Sequence, residues 1–158
     1  MGWPNEWPAV ARAIATATDD AVAAALAESS DECDDALSEL GALPYEQVVS
    51  VHFRIVRELM ETLHPDGLAG EDVSDALARC ARRSAWTPRL DVPSLAIVLI
   101  GALGVGELDD VSAHEPGRVL VASVLAIADL AAAARISVSD YLLSALNDIA
   151  RAETVEMP

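Results

Sequence analysis

Lysine is absent from this chain, cysteine occurs twice, and aromatic residues make up only 4%. With no lysine, the cations other than histidine are all arginine: 10 of them face 26 acidic side chains, for a formal charge of −16. A duplex nucleic acid binder needs a basic footprint, and an anionic membrane surface repels so acidic a chain, so neither is expected as a partner. Cys33 and Cys80 make a poor disulfide framework, which points to free thiols in a reducing compartment. Residues 1–6 (Met-Gly-Trp-Pro-Asn-Glu) carry neither a basic region nor an apolar run, so no signal peptide is expected. Nor does Ser or Thr at position 6 follow Gly2 to suggest myristoylation. The cytoplasm is the expected location. The longest apolar run, 119–134, is interrupted by Ser123 and Asp129 and falls short of the ~20 apolar residues of a membrane span.

Aliphatic residues fill the place the aromatics leave. Hydrophobic content is 53%, mostly Ala and Leu, which are strong helix formers, and small Ala side chains let helices approach closely. A chain of 158 residues suits one domain, 1–158, with a sizeable core. The run 119–134 is apolar nearly all the way round a helix, and such a helix has to be surrounded by others. The pattern therefore predicts an all-α, single-domain bundle of about six or seven helices around a buried central helix at 117–135.

The other elements follow from periodicity and punctuation. Trp3, Trp7, Val10 and Ile14, then Ala21, Val22, Ala25 and Leu26, recur at helical spacing. Thr18 either caps a second helix there or sits inside one long helix. Trp3 and Trp7 suit either the core or a dimer or partner surface. Ser29-Ser-Asp-Glu32 has the form of a capping box, with Cys33, Ala36, Leu37 and Leu40 on one face and Gly41 as a stop. Pro44 opens a stripe of Val48, His52, Ile55, Val56, Leu59 and Leu63, closed by the turn His64-Pro-Asp-Gly67. A shorter helix begins at Glu71 and Asp72 and buries Val73, Leu77 and Cys80.

For Ser94-Leu-Ala-Ile-Val-Leu-Ile-Gly101, periodicity alone does not separate buried strand from buried helix. Pro93 and the helical surroundings favour helix, with Gly101 and Gly104 permitting a close crossing. Gly101-Ala-Leu-Gly104-Val-Gly106 also looks like a nucleotide loop after a strand. Its order is reversed from the dinucleotide fingerprint, however, and close helix packing is the better explanation. Residues 106–110 form a polar link, Pro116 restarts the chain, and Ser137-Val-Ser-Asp140 caps a last helix carrying Tyr141, Leu142, Ala145, Leu146 and Ile149. Arg135 and Arg151 sit near helix ends, where positive charge complements the dipole.

Charge marks two candidate sites. Asp31, Asp34 and Asp35 lie on the face opposite the apolar stripe of their helix, an acidic ridge suited to a basic protein partner; plain solvation is the competing explanation. Glu58-Leu-Met-Glu61 and Asp72-Val-Ser-Asp75 each put two carboxylates on one helix face, and four converging carboxylates hold Mg²⁺ or Mn²⁺. This spacing resembles the Glu-x-x-Glu…Glu-x-x-Asp pattern of all-α nucleoside triphosphate pyrophosphohydrolases. The resemblance is confined to residues 58–75 and has Asp72 where the pattern has Glu. It implies metal-dependent nucleotide hydrolysis with Glu58, Glu61, Asp72 and Asp75 as ligands.

The remaining polar features are minor. Glu61-Thr-Leu-His64 matches half of a di-iron helix signature, without a second copy. Asp110 and His114 could meet only if that stretch were helical. His52, on an apolar face, reads as a core residue with one satisfied nitrogen. Arg79, Arg82 and Arg83, with Arg89 and Trp86 nearby, form a basic cluster that offsets a helix dipole or receives a phosphate or carboxylate, including one from an acidic helix of this chain or of a second copy. Buried, inert thiols are expected at Cys33 and Cys80.

The leading expectation is a non-enzymatic interaction or regulatory module, homo-oligomeric, with a basic protein partner and no cofactor. The alternatives are a Mg²⁺- or Mn²⁺-dependent nucleotide phosphohydrolase of all-α type, and an apolar-ligand binder with its pocket between the 93–105 and 117–135 helices.

Overall fold

The computed structural model describes residues 3–104 and 115–156, with side chains through Arg151. Among these residues there are seven helices and no strand: α1 (Ala9–Leu26), α2 (Ser30–Gly41), α3 (Tyr45–Leu63), α4 (Gly70–Arg83), α5 (Val92–Ala102), α6 (Pro116–Ala134) and α7 (Val138–Glu156). The all-α bundle is therefore the fold. The link at 106–110, with Gly106, Asp110 and His114, lies outside the described residues.

Helix α6 is the centre. Every residue from Val119 to Ala131 is buried, because α6 packs against each of α1 to α5. Contrary to the expectation that this run falls short of a membrane span, α6 is long and apolar enough to cross one by length and composition alone; 72% of its apolar 18-residue window is buried within the fold. The tight connection between α1 and α2 makes those two helices neighbours, while α7 packs on α1 and α3.

Local chemistry explains most helix ends. Asp91 caps α5, its Oδ2 accepting from the Ser94 amide at 3.2 Å and the Ser94 hydroxyl at 2.5 Å. Asp72 reaches back to the Ala69 amide at 2.9 Å and so caps α4. The Gly67 amide donates to the His64 carbonyl at 3.0 Å, closing the expected turn.

Several local expectations are corrected. Thr18 does not cap a second helix: α1 runs through it without a break, and its side chain is buried. Ser29 stands at the N-cap of α2, but its side chain makes no capping bond. Val73 and Leu77 are only half-buried; Ala76 and Cys80 carry the inner face of α4. Gly101 does serve close packing, since a Cβ there would stand 2.9 Å from Cε2 of Phe53. Gly104 does not, having open space around it and φ +72°, so it ends α5 in the left-handed region instead. Residues 95–100 are helical, so no strand leads into a nucleotide loop.

Candidate functional site

The four carboxylates at 58–75 occupy α3 and α4 but do not converge. Arg54 Nε donates to Glu58 at 3.1 Å, and Arg57 Nε donates to Glu61 at 3.0 Å. Both pairs span four residues of α3, the separation at which helical side chains meet. A second Arg54 nitrogen pairs with Asp148 on α7. Asp72 caps α4 through one oxygen, and its other lies 3.5 Å from His64 Nδ1. Asp75 is exposed one turn further on. Among the described residues, no group of three or more His, Cys, Asp or Glu side chains is arranged to hold a metal ion. His64 thus faces Asp72 and is not paired with Glu61 as the di-iron half-signature would require.

The acidic ridge is placed differently. Asp31, Asp34 and Asp35 are all exposed on α2. Asp34 is engaged, accepting from Arg89 at 2.7 Å. An acidic helix of the chain itself therefore supplies the partner for one member of the arginine cluster. Asp35 turns toward α1, where Asp20, Glu32, Asp35 and Glu39 line one cleft of about 340 Å³ over a floor of Ala23, Ala24 and Ala36. No cation lines this cleft. The contribution of Asp20 was not legible from α2 alone, although its spacing from Ala21 and Ala24 places it at the margin of the buried face of α1.

The rest of the arginine cluster meets a residue that sequence reasoning treated only as an interruption. Asp129, 2% exposed at the middle of the core helix, accepts from Arg79 Nε at 3.0 Å through Oδ2, while Arg83 Nε stands 3.4 Å from Oδ1. A carboxylate inside an otherwise apolar helix has to be paired. With arginine as the cation, the cluster at 79–83 was the available signal. Arg82 lies exposed on α4. Next to this pair, burial first and then the charge of Asp129 push the Cys80 thiol up to about 12. Burial, with Asp34 adding to it, also raises the Cys33 thiol. The two thiols are free and buried.

A second polar group crosses the core from three helices. Thr18 of α1, His52 of α3 and Ser123 of α6 are each fully buried. His52 Nε2 lies 2.8 Å from Thr18 Oγ1, and Nδ1 lies 2.7 Å from Ser123 Oγ. Both ring nitrogens are satisfied, where sequence had suggested one. Burial depresses the His52 pKa to about 4, so the imidazole is neutral near pH 7. The group thus ties the helices together and offers no proton to solvent.

The third expected site, between α5 and α6, is occupied by direct packing of the two helices. A groove of about 610 Å³ instead lies on the outer side of α5, where Ile100 and Leu103 face Leu68 and Val73, with Arg57 and Glu61 at its rim. At the other end of the molecule, Trp7 is buried and its Nε1 donates to Asn147 at 2.8 Å, with Trp3 stacked on it at 5.9 Å between ring centres. Trp7 is therefore a core residue. No family model matches this chain, and no curated protein and no solved structure matches it.

Proposed function

We propose that this protein is a non-enzymatic helical interaction module whose α1–α2 face receives a basic segment of a protein partner. The observation that carries this reading is the cleft lined by Asp20, Glu32, Asp35 and Glu39 without a compensating cation, in a chain of net charge −16. Carboxylates along one cleft repel each other and make the local potential more negative, and an arginine- or lysine-rich segment relieves both. The alanine floor gives the aliphatic stems of such side chains an apolar surface to lie on. Of the four carboxylates on which a metal-dependent reaction would rest, Glu58, Glu61 and Asp72 are engaged with Arg54, Arg57 and the α4 cap, and Asp75 is exposed on α4.

The test is titration of a fluorescent arginine-rich helical peptide at two ionic strengths. Asp20→Asn/Asp35→Asn/Glu39→Gln should weaken binding about tenfold or more at low salt and flatten the salt dependence. A control variant with the same change of three charges, Asp66→Asn/Glu71→Gln/Asp75→Asn, all exposed at or near α4, should leave affinity unchanged. Equal loss in both variants would mean that the peptide senses net charge only, and the proposed face would be discarded.

A further inference from the structure

We propose that the outer face of α5 pairs with the same face of a second copy of this chain, antiparallel about a two-fold axis beside Ala96. This face is distinct from the acidic α1–α2 cleft: the groove along it shares no lining residue with that cleft.

α5 and the two residues after it, to Gly104, contain no charged side chain, and Ser94, the one polar side chain there, is buried. A helix that is apolar all the way round belongs inside a core. α6 meets that demand by packing against five helices, whereas α5 is covered on one side only. Leu95, Val98, Leu99 and Ala102 are buried, but Val92 and Ile100 are 47% and 40% exposed. Ala96 lies between those two and Leu103 about one turn beyond, both half-buried. At spacings of four, four and three, these residues form one stripe along the helix. The stripe continues across the groove of about 610 Å³ to Leu68 and Val73. Of the five large apolar side chains exposed among the described residues, Leu68, Val92 and Ile100 stand on this face. Such a concentration marks an interaction surface, which scattered exposed residues do not.

Charge selects the occupant. Two copies of net charge −16 repel each other, so they close only over a surface where carboxylates are absent or matched. The stripe has none, and each of its ends carries an arginine. At the Ile100 end, Arg57 and Glu61 form an ion pair on the rim of the groove. At the Val92 end, Arg118 stands 3.9 Å from Asp91 and 3.2 Å from Glu115. Antiparallel pairing sets Val92 of each copy against Ile100 of the other and brings unlike ends together. Arg57 then meets the end with one carboxylate in excess, and Arg118 meets Glu61. The face is thus self-complementary, as a two-fold dimer requires, with an apolar centre and a polar rim. Ala96, small and at the crossing point, lets the two helices approach closely. A basic segment would instead find the nearby carboxylates already paired with arginine.

Sedimentation velocity of the full chain over a concentration series tests this. The unmodified protein should dimerise with a dissociation constant on the order of 10 μM or tighter. Added salt should tighten the dimer, because it screens the repulsion between two acidic copies. Binding of a basic segment to the α1–α2 cleft has the opposite salt dependence, so the two proposals fail separately. Ile100→Gln, which changes no charge, should raise the dissociation constant about tenfold or more. Val92→Gln serves the same purpose should Ile100→Gln not fold. Leu26→Gln, at an exposed apolar residue ending α1, should leave the dimer unchanged. The proposal is overturned if the protein stays monomeric at about 0.1 mM, ten times that constant, which would mean that another molecule or water alone meets the stripe. It is equally overturned if a folded stripe variant dimerises undiminished, if Leu26→Gln weakens the dimer as much, or if salt loosens it.

Discussion

His52 donates to Ser123, not the reverse. The Ser123 hydroxyl already donates to the Leu120 carbonyl at 3.0 Å, so its oxygen can only accept from His52 Nδ1, 2.7 Å away. Nδ1 therefore carries the proton, and Nε2 accepts from the Thr18 hydroxyl. Every donor in this chain across α1, α3 and α6 has one acceptor, which fixes both the tautomer and the relative register of three helices.

This arrangement has a pH consequence. The folded-state pKa of His52 is about 4, against about 6.5 in an unfolded chain. Between these values the unfolded state binds the extra proton, so stability is fully present above about pH 6.5 and is lost as pH falls toward 4. The gap corresponds to about 3 kcal/mol. His52→Gln should cost stability at pH 7 yet show a flatter decline across this window. Urea unfolding of both proteins from pH 4 to 7 measures it; parallel curves would contradict the assignment.

The Asp129 pair predicts an asymmetry. Arg79 and Arg83 have side chains 34% and 52% exposed, whereas Asp129 is 2% exposed. If the carboxylate is removed, the arginines can turn to water. If Arg79 is removed, a buried charge is left with one imperfect partner. Arg79→Ala should therefore destabilise by about 3 kcal/mol and Asp129→Asn by less. The double variant should cost well below the sum of the two, by about 1 kcal/mol or more. Additive losses in denaturant melts would show that the two side chains are not coupled.

Much of this fold was readable because punctuation and periodicity are local signals. Pro44, Pro93 and Pro116 each stand within a residue or two of a helix start, and the run around Ser123 could only be central. Long-range pairing was harder to read. Nothing in the neighbourhood of Asp129 says that its cation lies fifty residues earlier, and nothing near Thr18 points to His52. The carboxylate pairs are a different case. Arg54 with Glu58 and Arg57 with Glu61 stand four apart in the sequence, so their neutralisation within α3 was available to helix geometry alone.

The thiols give a direct kinetic test. Cys80 donates to the Leu125 carbonyl at 3.6 Å and its pKa is pushed up to about 12; Cys33 is raised as well. The thiolate is the reactive form, and both side chains are buried. An aromatic disulfide reagent at pH 8 should therefore label neither cysteine in the folded protein and both in urea, at a rate that follows unfolding. Rapid labelling of Cys80 without denaturant would show that the α4–α6 contact opens readily.

Two helices end in an unusual way, and this yields a stabilising prediction. After α6, the Ile136 amide donates to the Ala131 carbonyl at 3.1 Å and the Arg135 amide to Ala132 at 3.2 Å. That is a Schellman closure with Arg135 in the left-handed position, at φ 58°. Glu28 occupies the same position after α1, at φ 55°. For a residue with a Cβ this conformation costs roughly 1–2 kcal/mol. Glycine adopts it without that penalty but loses more entropy on folding. Arg135 also places a cation at a helix C-terminus, worth up to about 1 kcal/mol at an exposed site. The strain is the larger effect, so Arg135→Gly should raise the melting midpoint by a few degrees, with a gain of about 0.5–1 kcal/mol at low salt. High salt screens the dipole contribution and should widen the gain. A lower midpoint at both ionic strengths would mean that the arginine holds this turn through more than its charge.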